Sequence, residues 1–175
     1  WVAEHHSTSG FAGSSPEILI TRIAAETSSM RVGSGGVMLS HYSPLKVAEN
    51  FRILETMTPG RIDLGIGRAP GADQLTSAAL AYGSQVGVEF FGTRVADTLA
   101  FLTDTPPATQ ALAQVKATPR PGTVPQVWML GSSDQSAALA AQFGLAFSYA
   151  HFIAPEGGRE IVEQYRSYFR PSRFY

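Results

Sequence analysis

The 175-residue sequence contains no cysteine and lacks several other features that mark particular classes of protein. Without a thiol, this sequence can form no disulfide, offers no thiolate metal ligand and has no cysteine nucleophile. That composition is compatible with a reducing cytoplasm, where we place the protein. No run approaches the roughly 18 consecutive apolar residues that a membrane-spanning helix needs. We therefore expect no membrane association.

Charged residues are also few, and neither sign dominates. Asp, Glu, Lys and Arg make up 15% of the sequence, and the formal net charge is -1. The basic residues are scattered rather than arranged in a stripe, so the electrostatic footprint of a nucleic-acid-binding surface is absent. The hydrophobic content of 44% is sufficient for a core. These numbers predict a globular protein that does not bind nucleic acid.

The most informative stretch of the sequence is residues 44–69, which begins with a predicted helix. Ser43 and Pro44 predict the N-terminus of this helix, and Pro59 and Gly60 predict its end. Apolar residues recur in it at intervals of three and four, which predicts that it packs on one side only. The residues expected to face inward are Leu45, Val47, Ala48, Phe51, Leu54 and Met57. Those expected to face solvent are Lys46, Glu49, Arg52 and Glu55.

A short strand is predicted directly after this helix, at residues 62–66, where Ile62, Leu64 and Ile66 alternate with other residues. Arg68 follows the strand in a glycine-rich loop. A cation just beyond the carboxyl end of a strand is where α/β proteins bind anionic ligands. The alternative is that Arg68 forms a surface ion pair, but its place between a strand and a glycine-rich loop favours a ligand.

The rest of the sequence alternates between predicted strands and helices. Further strands are predicted at residues 1–4, 32–39, 126–130 and 145–149. Further helices are predicted at residues 16–30, 93–103, 137–143 and 155–169. Residues 69–95 are too long for an ordinary connection, which predicts a functional loop. Residues 105–125 are rich in proline, with a short strand expected at Val115.

This alternation, with strands that are apolar on both faces, is typical of a parallel sheet covered by helices. We count about five strands in a single α/β domain that spans residues 1–175. An eight-stranded barrel needs about 250 residues, so we expect part of a (β/α)8 TIM barrel, incomplete at both ends. An open doubly wound sheet also fits the length, but the glycine fingerprint of a dinucleotide site is absent.

Four motifs occur in one order along the sequence. They are WVAEHH at residues 1–6, VGSGGVMLSHYSPLKVAE at 32–49, ILETMTPGRIDLGIGRAPG at 53–71 and VWMLGSSDQSAALAAQFGLAFSYAHF at 127–152. Together they resemble the bacterial luciferase-like, flavin-dependent monooxygenases over nearly the whole sequence. Members of that family are longer barrels, and the resemblance places this chain at the second to sixth barrel strands.

The resemblance implies which residues face the flavin ring. His5 matches the histidine near the reactive edge of the flavin, which implies that it donates or accepts a proton there. His6 is its neighbour and is placed with the cofactor-binding residues. Gly35 and Gly36 match a pair of small residues that passes under the isoalloxazine ring, often through a cis peptide bond. Their lack of side chains is suited to a close approach by a ligand.

The resemblance also implies how the flavin phosphate is bound. Arg68 matches the arginine that reaches this phosphate. The residues that match the segment gripping the same phosphate at a helix N-terminus are Gly131, Ser132 and Ser133. Ser132 or Ser133 can instead serve as an ordinary helix N-cap, and the two roles are compatible because both use the same backbone N–H groups.

The function implied by the resemblance is a flavin-dependent oxidoreductase that uses reduced FMN and O2 to oxidise a small organic substrate. A deazaflavin in place of FMN and a separate flavin reductase as partner are compatible with it. Gly67 stands where true luciferases carry a cysteine, so luminescence is not implied. The alternative is a non-catalytic flavin-binding or structural remnant of such a barrel. Its open sheet edges would pair with a partner, and we expect a homo-oligomer or pairing through those edges.

A metal site formed by Glu4, His5, His6 and His41 is a further alternative, because imidazole and carboxylate groups bind zinc or iron. Adjacent residues of a strand point to opposite faces, however, so His5 and His6 are not expected to share a ligand. We therefore predict no metal.

Overall fold

The five strands found among the described residues lie in one sheet. A computed structural model describes residues 1–69, 72–82 and 88–174. The strands are β1 (Val32–Gly33), β2 (Val37–Met38), β3 (Ile62–Gly67), β4 (Gln126–Gly131) and β5 (Ala146–Tyr149). The α-helices are α1 (Pro16–Ala25), α2 (Pro44–Met57), α3 (Gln74–Ala81), α4 (Phe91–Thr103), α5 (Asp134–Phe143) and α6 (Gly158–Tyr168).

All of the strand pairs in this sheet are parallel. The order is β1-β3-β4-β5, and β2 also pairs with β3. Both β1 and β2 lie along the same edge of β3, with Val32 opposite Ile62 and Val37 opposite Ile66. Because parallel strands end at a common edge, the loops after β2, β3, β4 and β5 meet there. The predicted parallel α/β sheet with covering helices is confirmed.

The predicted strand at residues 32–39 is interrupted. Its central residues separate β1 from β2, and a 3-10 turn begins at Leu39. Ser34 replaces part of the missing ladder, because its Oγ donates to the carbonyl of Gly65 at 2.9 Å and accepts the Gly65 N–H at 3.0 Å. The predicted strand at residues 1–4 is reduced to one parallel bridge between Val2 and Ser34. The spacing of apolar residues cannot show that the side chain of Ser34 takes the place of backbone pairing.

Helix α2 is buried on two sides, which corrects the prediction of one buried side. Arg52 and Glu55 were expected to face solvent, but both are buried. Residues 105–125 pack over them: Arg52 donates to the backbone carbonyl of Ala117, and Glu55 accepts from the hydroxyl of Thr123. Met57, expected to face inward, is 59% exposed. The apolar pattern alone cannot show which loop covers the second face.

Several element boundaries also differ from the predictions. Helix α1 ends at Ala25, and Ile18, expected inside, is 70% exposed. Val115 lies outside any strand. The predicted loop at residues 69–95 contains helix α3 and a 3-10 turn at Val88–Phe90, while its residues 70, 71 and 83–87 lie outside the described residues.

The core lies between the sheet and its helices. Strand β3 is buried along its whole length, and its Ile62, Leu64 and Ile66 belong to the same apolar cluster as Phe51 of α2. The described helices include none that combines the length and the apolar character needed to cross a membrane.

Candidate functional site

A pocket of about 690 Å³ opens at the edge where the parallel strands end. Its lining includes residues that end or follow four strands: Met38 of β2, Arg68 after β3, Ser132 after β4 and Ala150 after β5. This volume lies within the range of about 300 to 1,000 Å³ that is usual for small-molecule and cofactor sites. The pocket is therefore large enough for a cofactor and lies where α/β folds bind ligands.

Part of the pocket lining is formed by Gly35 and Gly36, which are joined by a cis peptide bond. A Cβ atom on Gly36 would lie 2.7 Å from both the carbonyl oxygen of Gly65 and Cδ1 of Leu130. A Cβ atom on Gly35 would lie 3.1 Å from Cβ of Trp1. A side chain at Gly36 therefore has no room, and backbone forms this part of the pocket surface.

The aromatic side chain of Trp1 lies beside Gly35. Trp1 lines the pocket, and its indole Nε1 donates to Oδ2 of Asp63 at 3.0 Å. The ring of Trp1 meets the ring of Trp128 edge to face, with centroids 5.1 Å apart. Asp63 is itself paired with the guanidinium of Arg31. A hydrogen bond and a ring contact thus fix the orientation of the Trp1 indole.

The pocket lining also includes a cation, Arg68. Arg68 donates from Nη1 to Oε1 of Gln135 at 2.6 Å and from Nη2 to Oγ of Ser133 at 3.4 Å. Both partners are uncharged, and no carboxylate in the described ranges forms an ion pair with Arg68. Within the described site, no negative charge neutralises the guanidinium of Arg68. Its charge is therefore available to bind an anionic ligand.

The N-terminus of α5 lies beside this arginine. Ser133 is the N-cap of the helix, and its Oγ accepts the N–H of Ser136 at 3.2 Å. Gly131 allows the helix to start this close to β4, because a Cβ atom on Gly131 would collide with the side chain of Ser136. The free N–H groups and partial positive charge of a helix N-terminus favour an anion.

The structure brings most of the predicted site residues together in this pocket. Those that line it are Gly35, Gly36, Arg68, Gly131, Ser132 and Ser133. Sequence reasoning missed Gln135 and Ser136, which also line it. Both residues lie in the first turn of the helix that follows the Gly-Ser-Ser segment. Residues of the first turn lie next to the N-cap at the helix N-terminus, so their place in the site could have been predicted.

His5 and His6 do not line the pocket. The ring of His5 packs against Phe11, with centroids 4.3 Å apart. His6 instead belongs to a polar cluster that sequence reasoning missed, in which its Nε2 lies 2.9 Å from Oε1 of Glu4 and 3.2 Å from the hydroxyl of Tyr42. A glutamate next to two histidines at the end of an apolar run was the signal for this cluster. The roles implied for His5 and His6 stay predictions.

Tyr42 is a member of this cluster and has a shifted pKa. Burial raises the pKa of the Tyr42 phenol well above its usual value, and the hydrogen bond to Glu4 and the charge of Glu4 raise it further. Glu4 is almost completely buried, at 1% exposure. Ionised Tyr42 would thus place a second negative charge beside a buried carboxylate.

The described residues contain no group of three His, Asp or Glu side chains that could hold a metal ion. Glu4, His5, His6 and His41 accordingly form no such group. The polar cluster of Glu4, His6 and Tyr42 is held together by hydrogen bonds.

Comparison with known proteins places this geometry in a family. The family model for luciferase-like monooxygenases matches residues 1–173. A luciferase-like monooxygenase of Escherichia coli (strain K12) is 45% identical over 172 residues, which cover 98% of this chain and 50% of that protein. The chain thus spans about half the length of the curated relatives that it matches.

Two solved structures show the same fold. The crystal structure of apo-MsnO8 is 47% identical, with a TM-score of 0.89 over 99% of this chain and 51% of that chain. The oxygenating constituent of 3,6-diketocamphane monooxygenase from Pseudomonas putida, solved in complex with FMN, has a TM-score of 0.66 over 98% of this chain and 54% of its own. At 20% identity this second likeness shows the fold alone. The predicted fold class, part of a TIM barrel, is confirmed, and the chain belongs to the luciferase-like monooxygenase family.

Proposed function

We propose that the pocket binds FMN, with the isoalloxazine ring against Gly35 and Gly36 and the phosphate against Arg68 and the N-terminus of α5. The observation that carries this proposal is the guanidinium of Arg68, which has only uncharged partners and lies next to the cap Ser133. The backbone surface at Gly35 and Gly36 suits a flat ring. A deazaflavin that carries a phosphate would use the same contacts.

The residues of the pocket fit this cofactor in their chemistry. A phosphate requires a cation and backbone N–H donors, and Arg68 and the α5 N-terminus supply both. A ring system requires an apolar surface, which the side chains of Trp1 and Leu130 supply. It also requires room for its face, which Gly36 leaves because it has no side chain. The diketocamphane monooxygenase, which shares the fold, was solved in complex with FMN.

The proposed reaction is the oxidation of a small organic substrate by O2. Reduced FMN, when bound, supplies the two electrons and the activation of O2 that the protein's own side chains cannot provide. One oxygen atom is added to the substrate, and the other leaves as water with two protons. The name of the family supports a monooxygenase reaction, and a separate flavin reductase is the partner that we propose as the source of electrons.

The contribution of the protein in this reaction is binding, orientation and exclusion of water. Arg68 and Ser133 hold the phosphate, which fixes the position of the ring along the pocket. Gly35 and Gly36 let one face of the ring approach the backbone, and Trp1 and Leu130 shield it from water. Such shielding prevents water from competing with the substrate.

A second candidate is a non-catalytic flavin-binding protein. It is favoured by the position of His5 and His6 outside the pocket lining, because a proton-transfer group has to reach the reacting atoms. The end strands support pairing with additional strands in either case, since β5 has only β4 as its neighbour in the described sheet. We propose that the sheet is the arc of a barrel from its second to its sixth strand, completed by further strands or by a second copy.

Titration with FMN, followed by the change in flavin fluorescence, tests the proposal on the protein that carries this chain. We expect FMN to bind more tightly than riboflavin, and Gly36→Ala to weaken both because the added methyl group has no room. Gly10→Ala is the matched control, since a Cβ atom there meets nothing within 4 Å. Absence of flavin binding would overturn the proposal. Reoxidation of bound reduced FMN without substrate oxidation would favour the second candidate.

A further inference from the structure

The side of β3 that faces the pocket carries a buried carboxylate, that of Asp63. Ile62, Leu64 and Ile66 of β3 pack in the apolar core, and successive residues of a strand point to opposite faces. Asp63 therefore lies on the same side of β3 as Gly67, which lines the pocket. Asp63 is 5% exposed. A buried carboxylate is costly unless it is paired and hydrogen-bonded, so its partners indicate its role.

Asp63 has two hydrogen-bond donors, one for each oxygen of its carboxylate. Nε1 of Trp1 donates to Oδ2 at 3.0 Å, and Nη2 of Arg31 donates to Oδ1. Arg31 is itself attached to the backbone just before β3, where its Nη1 donates to the carbonyl of Gly60 at 2.6 Å. The guanidinium therefore supplies the counter-charge for the carboxylate, and the other oxygen holds the indole.

The backbone around Asp63 brings Trp1 close to it. Gly33 lies opposite Asp63 in the ladder between β1 and β3, and a Cβ atom on Gly33 would lie 2.5 Å from Cβ of Asp63. The N–H of Val2 donates to the carbonyl of Gly33 at 2.8 Å, which places Trp1 next to the same strand. Gly33 thus leaves room for the carboxylate, and its carbonyl holds the segment that carries the indole.

The orientation of the Trp1 ring depends on its hydrogen bond, because packing covers only part of the side chain. Trp1 is 52% exposed, and it meets the ring of Trp128 edge to face. A Cβ atom on Gly35 would lie 3.6 Å from Cε3, which belongs to the six-membered ring of the Trp1 indole. That ring therefore lies beside Gly35, while the N–H of the five-membered ring points to Asp63.

This network is separate from the cation of the pocket. Arg68 donates to Gln135 and Ser133. In the described ranges, no hydrogen bond or ion pair joins Arg68 to Trp1 or Asp63. An aromatic side chain binds a flat ring system through its faces and edges and gains nothing from a phosphate. The network can therefore affect the ring of a flavin without affecting the contact to its phosphate.

We propose that Asp63, with Arg31 as its counter-charge, is a positioning residue that holds the Trp1 indole beside Gly35, and that Trp1 held in this way is a specificity-determining contact for the isoalloxazine ring. This inference rests on the proposed function, since the ring contact requires a flavin in the pocket. Neither Asp63 nor Arg31 lines the pocket, so their effect on flavin binding passes through Trp1.

The hydrogen bond is measured without flavin, from the indole N–H signals in a ¹H–¹⁵N correlation spectrum. The sequence contains two tryptophans, so Trp1→Phe identifies both signals by removing one. We expect Asp63→Ala to shift the Trp1 signal and to make its N–H exchange with solvent about tenfold faster, since a bond to a charged acceptor is lost. Asp63→Asn keeps an acceptor oxygen and should retain most of the protection. An unchanged Trp1 signal in Asp63→Ala overturns the proposal.

Asp97→Ala is the matched control for the loss of a buried aspartate. Asp97 on α4 is 3% exposed, accepts the backbone N–H of Thr109 at 3.0 Å and does not line the pocket. We expect Asp97→Ala to lower the midpoint of denaturant unfolding, as Asp63→Ala does, but to leave the Trp1 signal and riboflavin binding unchanged. A Trp1 signal that shifts equally in both variants reports a general loosening of the fold, which overturns the proposal.

Titration with riboflavin then measures the contact to the ring. We expect Asp63→Ala to weaken riboflavin and FMN binding by the same factor, about twofold to tenfold, the range of an aromatic ring contact. Trp1→Ala should weaken both at least as much. In the Trp1→Ala background, Asp63→Ala should cause no further loss, because a positioning residue acts through the residue that it positions. A further loss of the same size, or a loss confined to FMN, overturns the proposal.

These outcomes separate the proposal from the proposed function. If the unaltered protein binds neither flavin, the proposed function fails and the ring contact fails with it, while the Trp1 signal still decides whether Asp63 holds the indole. If both flavins bind and the two substitutions act independently, only this proposal fails. If Asp63→Ala does not fold, Trp1→Phe removes the same hydrogen bond from the donor side. Equal weakening of riboflavin and FMN binding in Trp1→Phe is then the expected result, and unchanged binding overturns the proposal.

Discussion

The side chain of Ser136 fills the space that a side chain on Gly131 would need. This contact lets the N-terminus of α5 start directly above the end of β4. We expect Gly131→Ala to push the helix start away, to weaken FMN binding about tenfold, and to lower the free energy of unfolding by about 1 to 3 kcal/mol, as overpacking does.

Flavin titration and denaturant unfolding measure these two effects of Gly131→Ala. Gly122→Ala is the matched control, because a Cβ atom at Gly122 meets nothing within 4 Å. If Gly131→Ala bound FMN as tightly as the unaltered protein, the close approach of α5 to β4 would not matter for the site.

A second prediction concerns the buried guanidinium of Arg52, which donates to Oδ2 of Asp104 at 2.8 Å. Asp104→Asn removes its counter-charge and should destabilise the fold by about 1 to 3 kcal/mol. The exposed pair of Arg22 and Glu26 is the control, and Glu26→Gln should cost at most about 0.5 kcal/mol. Chemical denaturation of the two variants measures the difference. Equal costs would show that the burial of Arg52 does not depend on Asp104.

This pair also gives a pH dependence. The hydrogen bond from Arg52 is the main cause that lowers the pKa of Asp104 below its usual value. A carboxyl group whose pKa is lower in the folded state stabilises the fold at pH values above its unfolded pKa, which is about 3.9. This stabilisation is lost as the pH falls through the folded-state pKa. The unaltered protein should therefore lose more stability than Asp104→Asn when the pH falls below about 4.

We expect Tyr42 to make the stability of the fold depend on pH in the opposite direction, with a loss of stability at alkaline pH. Its folded-state pKa is raised by burial and by Glu4, so its contribution is complete below the unfolded pKa of about 10 and is lost as pH rises above that value. We expect the free energy of unfolding to fall above pH ~10 in the unaltered protein and to fall less in Tyr42→Phe. Tyr168→Phe, at an exposed tyrosine, is the control. Identical alkaline profiles for Tyr42→Phe and the unaltered protein would contradict the buried hydrogen bond to Glu4.

The fold and the ligand pocket could be predicted from the sequence because their signals are local. Apolar strands that alternate with helices indicate a parallel sheet, and such a sheet brings together the residues that follow its strands. Arg68 and Ser133 are 65 residues apart in sequence, yet Arg68 directly follows β3, Ser133 lies two residues after the end of β4, and their side chains meet at 3.4 Å.

The parts that could not be predicted depend on contacts between distant segments. The burial of Arg52 depends on the carbonyl of Ala117, which is 65 residues away. The His6 ring contacts the hydroxyl of Tyr42, which is 36 residues away and outside any periodic pattern. Local periodicity carries no information about such partners, so the contacts of the His6 ring with Glu4 and Tyr42 could not be predicted.

The central claim is that Arg68 binds the phosphate of a flavin, and the difference between FMN and riboflavin binding in Arg68→Ala tests it most directly. Only FMN has the phosphate, and a charge-assisted arginine contact contributes about 1.5 to 3 kcal/mol. Calorimetric titration of both ligands measures the loss, with Arg159→Ala as the control because Arg159 is exposed on α6. We expect Arg68→Ala to weaken FMN binding by about tenfold to a hundredfold and to leave riboflavin binding nearly unchanged. An equal loss for both ligands would contradict it.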